Sequence, residues 1–262
     1  MNPGLGVGDA LFIGDWESLA MVHMEIPSRE LQPTIPFKLD LFEGSAFVSL
    51  VFFTMRGMRL ACGPRISDLL FYPFREQRFL NVRTYVRYRG EPGIHFITEW
   101  ISSRLCVHLG PHLYGLPYRW GNLNGNLFRR HVTDMATKTS LNCVVKPDGP
   151  FATCKPGSRD EFLFERYAAF NGHGRTAKMF RVSHAPWEQC GADAILTDDS
   201  LLRAYFPWFS KARVAGANYS PGLHDVRMGW PIRISPYSLG EGALARQVPS
   251  GSTLARAAHS CH

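Results

Sequence analysis

Arg83, Tyr85 and Arg87 stand on one side of an alternating run at residues 81–88 (NVRTYVRY). Two guanidinium forks around a phenol suit a carboxylate or a phosphate, provided that this side lines a cavity. Facing water, the same residues are a solvated surface, and the strand taken alone favours that. His108 and His112 are spaced i, i+4, which on a helix puts two imidazoles on one face, as zinc sites use them. Gly110 and Pro111 lie between them and no Glu follows His108, so a polar turn is expected instead. Glu165 and Arg166 are adjacent charges that do not face each other on a helix, and each is expected to find a different neighbour. His184 and His224 have the side chain that titrates near neutral pH and are the candidates for acid/base work. His184-Ala-Pro-Trp187 reads first as the end of a strand with a turn.

Other chemistries leave no trace. There is no GxSxG, no GxxxxGK[ST] and no GxGxxG behind a strand. The cysteines at 62, 106, 143, 154, 190 and 261 include no CxxC pair. Thiols are therefore expected to be reduced, the location cytoplasmic, and no metal or cofactor is expected. The first fourteen residues lack the basic and apolar blocks of a secretory signal. No stretch of about 18 apolar residues suggests a membrane helix. The net charge of +7 is scattered, with Arg129-Arg130-His131 its densest point, so nucleic acid is not an expected partner.

The elements that position these residues read as strands more than helices. Gly 24, Pro 18 and 13% aromatics favour many turns between short strands. Residues 46–55 (AFVSLVFFTM) suit a strand buried on both faces. In 81–88, Val82, Thr84, Val86 and Tyr88 share the face opposite Arg83. Further strands are expected at 94–100, 139–145, 176–182 and 226–234, with Glu91-Pro92-Gly93 as a turn before the first of these and Pro231 marking an edge or a bulge. Ser158-Arg-Asp-Glu161 is a capping box expected to open a helix over 162–170. A second helix is expected at 198–206, capped by Thr197 and stopped near Pro207, and a third at 102–112, interrupted at Gly110-Pro111. Residues 1–14 are expected to be a flexible lead-in, 15–235 one domain, and 236–262 a disordered tail.

Several phrases in one order carry a resemblance. They are Phe42 through Met55, Leu80-Asn-Val-Arg-Thr-Tyr-Val86, Leu113-Tyr-Gly-Leu-Pro-Tyr118, Gly157-Ser158 with Phe162-Leu-Phe-Glu-Arg-Tyr167, His184-Ala-Pro-Trp187, and Tyr219-Ser-Pro-Gly-Leu-His-Asp-Val226. Over residues 15–235 the chain resembles the YqjF-like family of uncharacterised conserved proteins, which is grouped with the acetoacetate decarboxylase-like fold. The resemblance implies a mainly β (α+β) single domain: a curled sheet closing into a barrel or cone around a pocket, with two or three peripheral helices.

In the decarboxylases a lysine with a lowered pKa forms a Schiff base with a keto acid. The resemblance places Arg119 where that lysine would be and Tyr118 where its activating lysine would be. It places Ser49 and Asn81 where two pocket glutamates would be. A guanidinium keeps its proton and forms no Schiff base, so that chemistry is not expected. The implied ligand-binding set is Arg119, Tyr118, Arg83, Asn81, Ser49 and Tyr114, around a small organic anion such as a carboxylate-type metabolite. Two alternatives stand beside it. One is a lyase or hydrolase on a small acidic substrate, with Arg119 as anchor and His184 or His224 as acid/base. The other is a structural barrel whose arginines pair with internal acids such as Glu99 or Glu165, its interior filled by Phe52, Phe53, Tyr85 and Trp100.

Overall fold

A computed structural model describes residues 9–62 and 71–235. The expected tail at 236–262 lies outside the described residues. Among the described residues, thirteen strands form one curled sheet. In chain order they are β1 Ala10–Ile26, β2 Lys38–Leu39, β3 Ala46–Leu60, β4 Glu76–Tyr88, β5 Glu91–Ile101, β6 Tyr118–Gly125 and β7 Arg129–Asp134. Then come β8 Ser140–Thr153, β9 Ala168–Asn171, β10 Lys178–Ser183, β11 Glu188–Asp198, β12 Arg213–Gly229 and β13 Ile232–Arg233. Among the described residues, four short α-helices accompany them: α1 Ser28–Leu31, α2 Arg104–Tyr114, α3 Arg159–Phe164 and α4 Ser200–Tyr205.

Hydrogen bonding closes the sheet on itself. One ring runs β4-β5-β6-β7-β8-β11-β12-β1-β3 and returns to β4. A second path leaves β5 through β9 and β10 and rejoins β12, where Val182 pairs with Met228. The long strands β5 and β12 therefore serve both rings, and β1, β3 and β4 are covered on both faces. One face packs against a solid cluster that includes Val22, Leu50, Phe52, Leu80, Val82, Trp100, Leu141 and Leu202. The opposite face carries Leu19, Val51, Phe53, Phe79 and Ile101. Period-2 alternation makes this division, and it explains why residues 46–53 are buried without a break.

Several expected boundaries move. β1 begins at Ala10, inside the segment expected to be a flexible lead-in, because its start pairs with both β12 and β3. The turn before β5 is Arg89-Gly90, at φ 52° and 84°, and Glu91-Pro92-Gly93 already belongs to the strand. Two successive left-handed residues are what a tight hairpin requires. Ser158 Oγ accepts from Glu161 N as the capping box implies, but Glu161 reaches Gly157 N, and the helix ends at Phe164. Residues 168–171 leave the expected helix to form β9 between β5 and β10. At α4 the residue at the N-cap is Asp199, not Thr197.

Helix α2 runs through Gly110-Pro111, where an interruption was expected, and ends on left-handed Gly115 at φ 72°. Ser103 Oγ caps its start by accepting from Cys106 N. Gly110 is required by packing: a Cβ there would lie 2.2 Å from the Tyr118 ring. His108 and His112 thus share one helix face after all. Both are exposed, and no group of three His, Cys, Asp or Glu side chains suited to a metal occurs among the described residues.

Candidate functional site

The second ring is hollow. A cavity of about 600 Å³ lies between β1, β3, β4, β5 and β10, with α2 along one side. Its wall is mostly apolar and aromatic, including Trp16, Phe53, Phe79, Phe96, Phe180 and Trp187. The polar side chains on it are Asn81, Arg83, Glu99, Tyr118, Arg166 and His184, together with Tyr114 and Cys106.

Three of these come from cross-strand register. Asn81 on β4 pairs with Glu99 on β5, and Glu99 pairs with Tyr118 on parallel β6. An amide, a carboxyl and a phenol are thereby neighbours on one face of three adjacent strands. Arg83, two residues beyond Asn81, extends the same face. Asn81 and Glu99 are buried at 6% and 2% exposure. Glu99 Oε1, Asn81 Oδ1 and Arg83 Nε are each buried with no hydrogen-bond partner. Burial pushes the Glu99 carboxyl well above the usual carboxylate range, against the opposing pull of Arg83. Burial, with Glu99 beside it, pushes the Tyr118 phenol up as well. At the polar end of the cavity, burial thus favours the protonated carboxyl of Glu99 and the protonated phenol of Tyr118 beside the Arg83 guanidinium.

Arg83 keeps Nε unpartnered but donates from Nη2 to Leu163 O at 3.0 Å, and two other polar groups on the wall are engaged as well. Arg166 donates to Asp40 Oδ2 at 2.8 Å and to Phe162 O at 2.6 Å, and its guanidinium lies 4.1 Å from the Phe162 ring centre. His184 Nδ1 lies 2.7 Å from Ala185 O, with its ring against Tyr167 and Trp187. Burial lowers its pKa, so it is neutral at pH 7. His224 is exposed, 3.5 Å from Asp15 and outside the cavity.

The expected residues divide. Arg83, Asn81, Tyr118 and Tyr114 line the cavity; Tyr114 also donates from its hydroxyl to Gly229 O at 3.1 Å. Arg119 does not. It is exposed, with its guanidinium 4.4 Å from the Tyr205 ring centre. The expectation that Arg119 faces the interior is corrected: β6 alternates, and the side chain it sends inward is Tyr118. Ser49 pairs in register with Arg83 but is fully buried behind the wall.

Ser49 belongs to a buried relay. Tyr85, Ser49, His23, Asn218 and Gln189 are joined at 2.6, 2.7, 3.1 and 2.6 Å in that order. Asn218 Oδ1 can only accept, so His23 Nε2 donates to it; in the neutral ring Nδ1 then accepts from Ser49 Oγ, Asn218 donates to Gln189, and the Tyr85 hydroxyl shares its one proton between Ser49 Oγ and Leu163 O. The spacing of Ser49, His23 and Asn218 would suit a nucleophile and its base. Ser49 and His23 have no exposed surface and do not line the cavity, so this set is structural. Burial lowers His23 to a pKa of about 3. The internal pairing expected for the arginines is also different. Arg166 pairs with Asp40, and Glu165 accepts from Trp187 N and from the Tyr167 hydroxyl. Phe53 lines the hollow and does not fill it.

The sequence named Glu99 only as an internal acid for an arginine to pair with, and the structure places it among the residues lining the cavity. Its signal was an acid between Thr98 and Trp100 in a strand otherwise suited to burial.

The DUF2071 model, described as an uncharacterized conserved protein, matches residues 14–224. Uncharacterized protein YqjF of Bacillus subtilis (strain 168) is 24% identical over 243 residues, spanning 87% of this chain and 95% of its own length. The enduracididine biosynthesis enzyme MppR complexed with pyruvate superposes at a TM-score of 0.59 and 12% identity, covering 87% of this chain and 91% of its own. Acetoacetate decarboxylase from Legionella pneumophila superposes at 0.57 and 11%, covering 86% and 87%. The shared property is the fold, which is acetoacetate decarboxylase-like.

Proposed function

Because the chain belongs to DUF2071, a family of uncharacterised conserved proteins, and has an acetoacetate decarboxylase-like fold around a cavity, we propose that it binds a small organic acid there. Arg83 holds the carboxylate. Asn81, the neutral carboxyl of Glu99 and the phenol of Tyr118 take its remaining lone pairs and any neighbouring oxygen. The apolar wall holds the rest of the molecule.

One observation carries this reading. Glu99 Oε1, Asn81 Oδ1 and Arg83 Nε are buried without partners, and all three residues line one cavity. A buried unsatisfied polar group costs about 1–3 kcal/mol, so three together mark a place where a ligand supplies what the protein lacks. MppR, of the same fold, is seen with pyruvate, itself a small carboxylate, which supports an acid in this kind of cavity. Schiff-base chemistry stays outside the reading, because no lysine is among the residues lining the cavity.

The test is Arg83→Ala in the full chain, measured by ligand-induced thermal shift across a panel of carboxylic acids. The parent is expected to shift and the variant to fold but not to shift. Equal shifts in both would overturn the reading. A second reading makes the site a lyase or hydrolase on a small acidic substrate, with Arg83 as anchor and His184 as acid/base. The presence of a neutral His184 on the cavity wall favours it. His184→Gln would then abolish turnover while leaving the dissociation constant of the substrate within a few fold.

A further inference from the structure

The cavity is larger than its polar end. Resting on the organic-acid reading above, the geometry points to a narrower ligand class: we propose an amphiphilic acid whose long apolar tail runs from the Arg83 end, through the cavity, to the surface along α2. Leu105, Leu109 and Leu113 recur at i, i+4 and i+8 and form one stripe of that helix. All three line the cavity, yet they are 47%, 51% and 38% exposed. Apolar side chains of one cavity thus reach both its buried polar residues and the exposed face of α2. Phe71 and Phe74 line the same cavity and contact each other with ring centres 5.8 Å apart.

The stripe spans eight residues of rise, about 12 Å. Exposed leucines in a row are usually a liability for a lone chain; here they adjoin an apolar hollow that needs an occupant. A compact acid of three or four carbons would engage Arg83 and leave most of about 600 Å³ without contacts, whereas cavities of that size suit drug-sized ligands. Docking of a partner helix on the stripe alone would not fill the hollow behind it.

Calorimetry of the full chain with straight-chain saturated acids from butanoic to dodecanoic tests this, beside the matching primary alkanols. Each added methylene is expected to tighten binding about fourfold, equivalent to ~0.8 kcal/mol, until the tail emerges. Leu109→Gln, an exposed position on a helix, is expected to leave butanoate affinity unchanged and to lose the increments of the longest acids. If short acids bind and length adds nothing, the tail inference is overturned and the acid reading stands. If alkanols show the increments and no acid binds, the acid reading fails and the apolar tail stands. Absence of binding by both series overturns both. A change of oligomeric state in Leu109→Gln, with the increments intact, would also overturn the inference, by making the stripe an interface between copies.

Discussion

Replacing Glu99 by Gln isolates the one buried carboxyl at the polar end of the cavity. Folded, Glu99 keeps its proton well above the ordinary value of 4.5; unfolded, it releases the proton near that value. The folded state therefore binds more protons over that interval, and stability falls as pH rises through it. The contribution is fully present below the unfolded pKa and is lost towards the folded one. Each pH unit in the window costs about 1.4 kcal/mol. Between the unfolded value and pH 7 this amounts to at most roughly 3 kcal/mol. Glutamine has the same shape and no proton to lose. Glu99→Gln is expected to match the parent at pH 4.5 and to exceed it progressively towards pH 7, by a melting temperature on the order of 10 °C at most. Urea unfolding of both chains at half-unit pH steps, read as the difference between them, cancels every other titrating group. Parallel curves would show a Glu99 ionised at pH 7 and paired with Arg83, and the view of a neutral polar end would fail. Acid binding should survive in the variant, since the amide still donates.

The opposite pH limb tests His23. Its folded pKa of about 3 lies below the unfolded value of 6.5, so it stabilises above 6.5 and that stability is lost as pH falls towards 3. His23→Gln should flatten the acid limb by close to one proton between pH 6 and 4, seen in unfolding free energy; an unchanged slope would place the acid sensitivity elsewhere. Gly110→Ala should lower the melting temperature, because its Cβ would fall 2.2 Å from the Tyr118 ring, a clash worth about 1–3 kcal/mol against ~1 kcal/mol gained in helix propensity. In a Tyr118→Ala background the same change should become neutral or stabilising. A Gly110→Ala chain more stable than the parent would show that the ring moves aside without cost.

Residues 46–55 identify a doubly covered strand from their composition alone, since Phe47, Val51, Phe53 and Met55 fall on one face and Val48, Leu50 and Phe52 on the other, leaving neither face polar. The face carrying Asn81 and Arg83 was likewise legible from alternation. The start of α3 was written in Ser158 and Glu161, because capping is local chemistry. Its end was not: residues 168–171 have helix-compatible side chains, and their pairing with β5 and β10 overrides that propensity. The polar strands β6, β7 and β11 escaped notice for the same reason, their backbone bonds being supplied by distant neighbours.

What the residues determined by themselves was a mainly β chain, its family and the strand that carries Arg83. Only the tertiary structure decided which of Tyr118 and Arg119 faces inward, because a strand has period 2 and a shift of one residue exchanges its two sides. It also decided that Glu99 stands between Asn81 and Tyr118, an adjacency set by inter-strand register, which one strand's sequence cannot state.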